Sequence, residues 1–124
     1  MVSTKDDYQK ALLKLRDEKQ FRNTQYLALL RAQYAAPAHT ITATELARAV
    51  GYENYNAANL HYGTLGREVA KKLGYEPPKR SNGEPMWFWT LSTGNEVVTN
   101  PDGHYEFVMR AELAQALEAM RWVK

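Results

Sequence analysis

Apolar residues return at helical intervals from the start of the chain. Thr4, followed by Asp6 and Asp7, offers a cap and two acidic side chains to the positive end of a helix dipole, and Tyr8, Leu12 and Leu15 then recur on one face. That predicted first helix is otherwise densely charged, with Lys5, Lys10, Lys14, Arg16, Asp17, Glu18 and Lys19. It passes through QFRN into a second apolar stretch, TQYLALLRAQY, where Tyr26, Leu27, Leu29, Leu30 and Tyr34 are core candidates. Pro37 closes this helix, because proline disfavours the α conformation in the residue before it.

In ITATELARAVG, Thr42 stands three positions before Glu45, the spacing of a capping box; Leu46, Ala47 and Val50 supply an apolar face and Gly51 a stop. The polar turn YENYN follows, and a longer helix is expected to begin near Asn56 and run to Gly74, with Leu60, Leu65, Val69 and Leu73 placed for burial. Gly63 and Gly66 lie inside it, each costing about 1 kcal/mol against alanine in a helix interior. Either the helix breaks there or a neighbouring element packs very closely.

No helix can cross EPPKRSNGEP, and beyond it the periodicity changes. MWFWTL is aromatic and β-prone, and EVVT and HYEFVM follow, separated by NPDG, whose Pro-Asp-Gly order is a turn signature. As a strand, MWFWTL would set Trp87 and Trp89 on one face and Met86 and Phe88 on the other, one pair in the core and the other either covered by the terminal helices or exposed for a partner or unpaired bases. RAELAQALEAMRWV closes the chain as a helix with Leu113, Ala114, Leu117 and Met120 in one stripe and Trp122 as an anchor. The pattern predicts an α+β, mostly helical domain with a C-terminal aromatic β-hairpin and a closing helix. Its segments are N-terminal helices over 1–36, a helix-turn-helix-like core over 40–74, a hairpin wing over 85–109 and a closing helix over 110–123.

The 124 residues suffice for one hydrophobic core, and 44% hydrophobic with 24% charged residues is the balance of a folded chain. With no cysteine, disulfides, thiolate zinc sites and a cysteine nucleophile are excluded. His39, His61 and His104 are too far apart for a common zinc spacing, and GxxxxGK[ST], GxGxxG and GxSxG motifs are absent. Ser3, Ser81 and Ser92 are expected in loops or termini. GTLG has the outline of a KH-domain backbone clamp, but the strands of that domain are missing around it. The N-terminus lacks the apolar stretch of a secretory signal and no run approaches the roughly 20 apolar residues of a membrane span. The expectation is a cytoplasmic module with no catalytic residues, metal, cofactor or small-molecule substrate.

The order short helix, glycine-opened turn, longer helix, loop and hairpin over Thr40 to Met109 resembles a winged helix-turn-helix, resting on TATELARAVG and the helix after it. The resemblance implies that the longer helix enters the major groove while the hairpin touches the backbone. YNAANLHYGTLGREVAKKLG together with FVMRAELAQAL more weakly resembles accessory modules of HNH-type and modified-cytosine restriction endonucleases, which implies DNA reading on behalf of a nuclease domain.

With a formal charge of +2 and a pI near 8.8, any case for nucleic acid rests on where the charges fall. Asn54, Asn56 and Asn59 carry amides suited to adenine, Tyr55 and Tyr62 can reach phosphates or stack, and Arg67, Lys71, Lys72, Lys79 and Arg80 supply charge. Each has a structural alternative. Asn54 and Asn56 are good turn and cap residues, Tyr62 suits a half-buried core position, and the Lys71-Lys72 pair is favoured by the dipole at a helix C-terminus. Double-stranded DNA is thus the expected partner. The competing expectation is a partner protein or second copy contacted through the charged first helix and the Trp87/Trp89 hairpin, and a third is single-stranded nucleic acid on the hairpin aromatics.

Overall fold

The capping signals become helix boundaries. A computed structural model describes residues 3–22, 24–94 and 106–123. Thr4 and Asp7 form a reciprocal capping box that starts α1 (Lys5–Asp17), and Thr42 and Glu45 form another that starts α3 (Ala43–Val50). α2 spans Tyr26–Ala35 and stops before Pro37, as the proline predicts. α4 (Tyr55–Leu73) opens on Asn54, whose side chain accepts from the Ala57 amide, and ends on Gly74. Gly51 and Gly74 take the left-handed conformation that ends α3 and α4, and α5 spans Ala111–Ala119.

Among the described residues three short strands complete an α+β, mostly helical fold: β1 (Thr40–Thr42), β2 (Ser92–Gly94) and β3 (Glu106–Met109). β3 lies in the middle, antiparallel to both neighbours, with Ile41 opposite Phe107 on one side and Thr93 opposite Val108 on the other. The pairing of β2 with β3 makes the hairpin; EVVT, NPDG and His104 fall at positions 95–105, outside the described residues. β1 ties that hairpin to the start of α3, a link not predicted from sequence.

The aromatic run does not enter the sheet. Trp87–Thr90 is a 3₁₀ turn, so Trp87 and Trp89 do not share a strand face, and 86–89 are all half-buried. Backbone groups that a ladder would pair are instead taken up by distant side chains. Tyr8 donates its hydroxyl to the Thr90 carbonyl (2.6 Å) and Arg110 its Nε–H to the Trp89 carbonyl (2.7 Å). The Trp87 carbonyl lies against Gly66, where a Cβ would sit 2.3 Å from its oxygen. α4 therefore runs unbroken through Gly66 because a neighbour packs on its bare backbone.

One core joins these elements, with Tyr8, Leu12 and Leu15 of α1, Leu29 and Leu30 of α2, Leu46 of α3, Leu65 and Val69 of α4, Phe107 of β3 and Leu113 and Leu117 of α5 among its buried side chains. Two expected assignments within α4 change. Leu60 is 67% exposed, whereas Tyr62 is fully buried. Helical phase explains both: Leu60 stands five residues before Leu65, roughly 140° around the helix, while Tyr62 precedes Leu65 by three and Val69 by seven. Ser92, expected in a loop, is a buried strand residue. No helix among the described residues is long and apolar enough to cross a membrane.

Candidate nucleic-acid interface

The outward face of α4 gathers several of the predicted residues. Asn56, Asn59, Leu60, Gly63 and Arg67 follow one another at intervals that keep them on one side of a helix with roughly 3.6 residues per turn. Asn56, Asn59, Leu60 and Arg67 are exposed, and among the described residues the Asn56 and Asn59 amides make no hydrogen bond. Tyr55, 46% exposed, stands beside them in the first turn. Asn54 is also exposed, but its side-chain oxygen is committed to the cap, so its structural reading holds.

α3 packs against α4, whose buried residues, among them Ala58, Leu65 and Val69, lie on the side away from this face. The turn between them is pinned by Tyr52, which stacks on His61 at 4.9 Å with planes 15° apart. His39 is also occupied structurally: it stacks on Tyr34 and its Nδ1 lies 2.6 Å from the Tyr34 carbonyl, which makes that nitrogen the protonated donor.

Tyr62 does not belong to the surface. Its hydroxyl donates to the Gln33 side-chain carbonyl (2.6 Å) and accepts from the Ser92 hydroxyl, while Gln33 Nε2 donates to Ser92 Oγ (2.9 Å) and the Phe107 carbonyl (3.1 Å). All three side chains are fully buried, and burial pushes the tyrosine hydroxyl well above its ordinary pKa. The network locks α2, α4, β2 and β3 together behind the exposed face and cannot touch a phosphate.

The cations divide into two groups. Lys72 is joined to Glu18 at the end of α1, and Arg67 and Lys71 each lie 3.8 Å from Glu68. Lys79 and Arg80 are exposed and form no ion pair among the described residues. Their loop is nevertheless ordered. The Arg80 amide donates to the Glu84 carbonyl (2.8 Å), the Gly83 amide to the Arg80 carbonyl (2.9 Å), and the Met86 amide to the Pro78 carbonyl (2.9 Å).

That loop and α4 border a cleft of about 520 Å³, lined by Asn59 and Gly63 of α4 together with Arg80, Pro85, Met86 and the aromatic rings of residues 87–89. Sequence reasoning missed the cleft, because it assigned the aromatic run to a strand. Among the described residues no group of three or more His, Asp or Glu side chains is placed to hold a metal ion. Comparison with protein-family models, curated proteins and solved structures finds no match to this chain.

Proposed function

We propose that this chain is a non-catalytic DNA-binding module of winged-helix type, with α4 as the element that enters the major groove and the Lys79–Arg80 loop on phosphates. One observation carries the proposal: the N-terminal half of α4 turns amides and an exposed leucine outward while its other side is buried, and α3 packs against the helix. From Asn56 to Gly63 the helix advances about 10 Å, the length of about three base-pair steps. Asn56 and Asn59 suit bidentate bonds to adenine, and Leu60 suits a thymine methyl. Among the described residues Lys79 and Arg80 have no acid to exchange for a phosphate, while Arg67 and Lys71 must trade Glu68 for it. Tyr62, buried in its network, is left out of the proposed interface, and Lys72, paired with Glu18, is not counted among its phosphate contacts.

Fluorescence anisotropy of a labelled duplex tests this. With Arg67, Lys71, Lys79 and Arg80 each displacing one counterion, affinity falls by about 150-fold between 50 and 200 mM salt. The Lys79→Ala/Arg80→Ala variant reduces that to about 12-fold. Absence of binding at the lower salt would sink the proposal.

A partner protein is the second reading, and a specific observation favours it. Tyr55 and Leu60 are the large apolar side chains exposed among the described residues; both lie in the N-terminal half of α4, about 140° apart around the helix, and Leu60 suits the desolvated centre of a protein interface. It predicts association that is insensitive to salt and lost in Leu60→Asp.

A further inference from the structure

Gly63 presents an anomaly that Gly66 does not. Both sit inside α4, where glycine is disfavoured relative to alanine. At Gly66 the missing side chain is needed, because the Trp87 carbonyl occupies its place. At Gly63 nothing among the described residues lies within 4 Å of where a Cβ would stand and the backbone is helical, so no packing contact among them calls for a glycine there. What the bare position does is keep open one wall of the cleft.

The rest of the cleft has a definite chemistry. Its aromatic side is a series of rings in contact: Tyr62 stacks on Phe107 (4.9 Å, 22°), Phe107 meets Phe88 (5.3 Å), and Phe88 stacks on Trp89 (5.5 Å, 28°). Trp89 carries a buried indole N–H with no hydrogen-bond partner among the described residues, a donor that native interiors rarely leave unpaired. The cleft is also lined by Asn59, whose amide both donates and accepts, and by the cation Arg80.

We propose that this cleft receives a single nucleobase, stacked against the aromatic wall and bonded along its edge by Asn59, with the attached phosphate toward Arg80. A purely apolar ligand would leave Asn59 and Arg80 unused, and a phosphate alone would leave the rings unused. A planar heteroaromatic ring with donors and acceptors on its rim satisfies both, and Gly63 admits its close approach to the α4 backbone. The volume, about 520 Å³, holds a base with its sugar. The base comes either from a strand, extruded from a duplex, or from a free nucleotide; the first source rests on the DNA reading above, with Asn56 and Leu60 as its groove contacts when Asn59 holds the extruded base.

The two sources are separated with the full chain carrying Trp122→Phe, which leaves Trp87 and Trp89 as fluorophores. One arm titrates AMP and CMP and follows tryptophan quenching. The other compares a matched duplex with the same duplex carrying one mismatch, whose base costs less to extrude. Tighter binding of the mismatched duplex by about tenfold identifies a strand base, and quenching by nucleotides alone identifies a free nucleotide. Either effect must disappear in Gly63→Leu, which fills the cleft from a position with room for a side chain, its fold checked by circular dichroism. No quenching and no mismatch preference overturn the nucleobase proposal; salt-dependent binding of the matched duplex in that case leaves the DNA reading intact, and its loss removes both. Persistence of the effect in Gly63→Leu also overturns the proposal.

Discussion

The two internal glycines of α4 should respond to alanine with opposite signs. At Gly66 the new Cβ meets the Trp87 carbonyl oxygen at 2.3 Å and its carbon at 2.9 Å, far inside van der Waals contact. The carbonyl cannot move alone, since the Trp87–Thr90 turn is anchored by Tyr8 at Thr90 and by Arg110 at Trp89. Overpacking of this kind costs about 3 kcal/mol at the upper end of its range, offset by about 1 kcal/mol of helix propensity. The net is a loss of about 2 kcal/mol. At Gly63 no clash opposes the propensity gain, so Gly63→Ala stabilises by about 0.5 to 1 kcal/mol. Unfolding entropy for 124 residues is about 0.26 kcal/mol per kelvin. On that scale Gly66→Ala lowers Tm by about 8 °C and Gly63→Ala raises it by about 3 °C, both measured by circular dichroism and checked by urea titration. Equal shifts of the same sign would refute the packing of the Trp87 turn on α4 and, with it, the geometry of the cleft.

Other consequences are equally direct. Tyr62→Phe leaves the buried Gln33 side-chain carbonyl without its donor and costs about 1 to 3 kcal/mol in urea unfolding, whereas Tyr55→Phe costs under about 0.5 kcal/mol. Burial raises the hydroxyls of Tyr8 and Tyr62 in the folded chain above the ordinary value of 10, so the unfolded chain releases those protons first. Stability from this source is complete below pH 10 and declines as pH rises above it; urea midpoints at pH 8 to about 11 show the decline, and it is shallower in Tyr62→Phe. Thr42→Ala removes the side-chain acceptor of the capping box and costs about 1 kcal/mol, read from the same titration.

Local signals in the chain were legible because their physics is local. The capping boxes of Thr4 and Thr42 and the left-handed stops at Gly51 and Gly74 join residues within one turn of one another. Leu60 was misplaced although its phase was readable: five residues separate it from Leu65, and counting that offset puts it outside and Tyr62 inside. The 3₁₀ turn at Trp87 was not readable, because what replaces the strand ladder there is a hydroxyl 82 residues away, a guanidinium 21 residues away and the bare backbone of Gly66. β1 was missed for a similar reason: three residues of strand depend on pairing with Glu106–Val108 much later in the chain. The buried triad of Gln33, Tyr62 and Ser92 likewise draws on three separate elements, so Tyr62 presented itself in sequence as a polar reader of DNA. Lys72 did the same until α1 brought Glu18 to it. Asn56, Asn59 and Arg80 stay in the proposed interface because nothing among the described residues occupies their polar groups.

The most direct test of α4 as the DNA-contacting element is an amide chemical-shift map of the ¹⁵N-labelled chain titrated with a 12-base-pair duplex at low salt. The account predicts that the largest shifts fall on Tyr55–Gly63 and on Lys79–Arg80, with α1 and α5 unmoved. Shifts centred on α1 or α5, with the outward face of α4 silent, would contradict it.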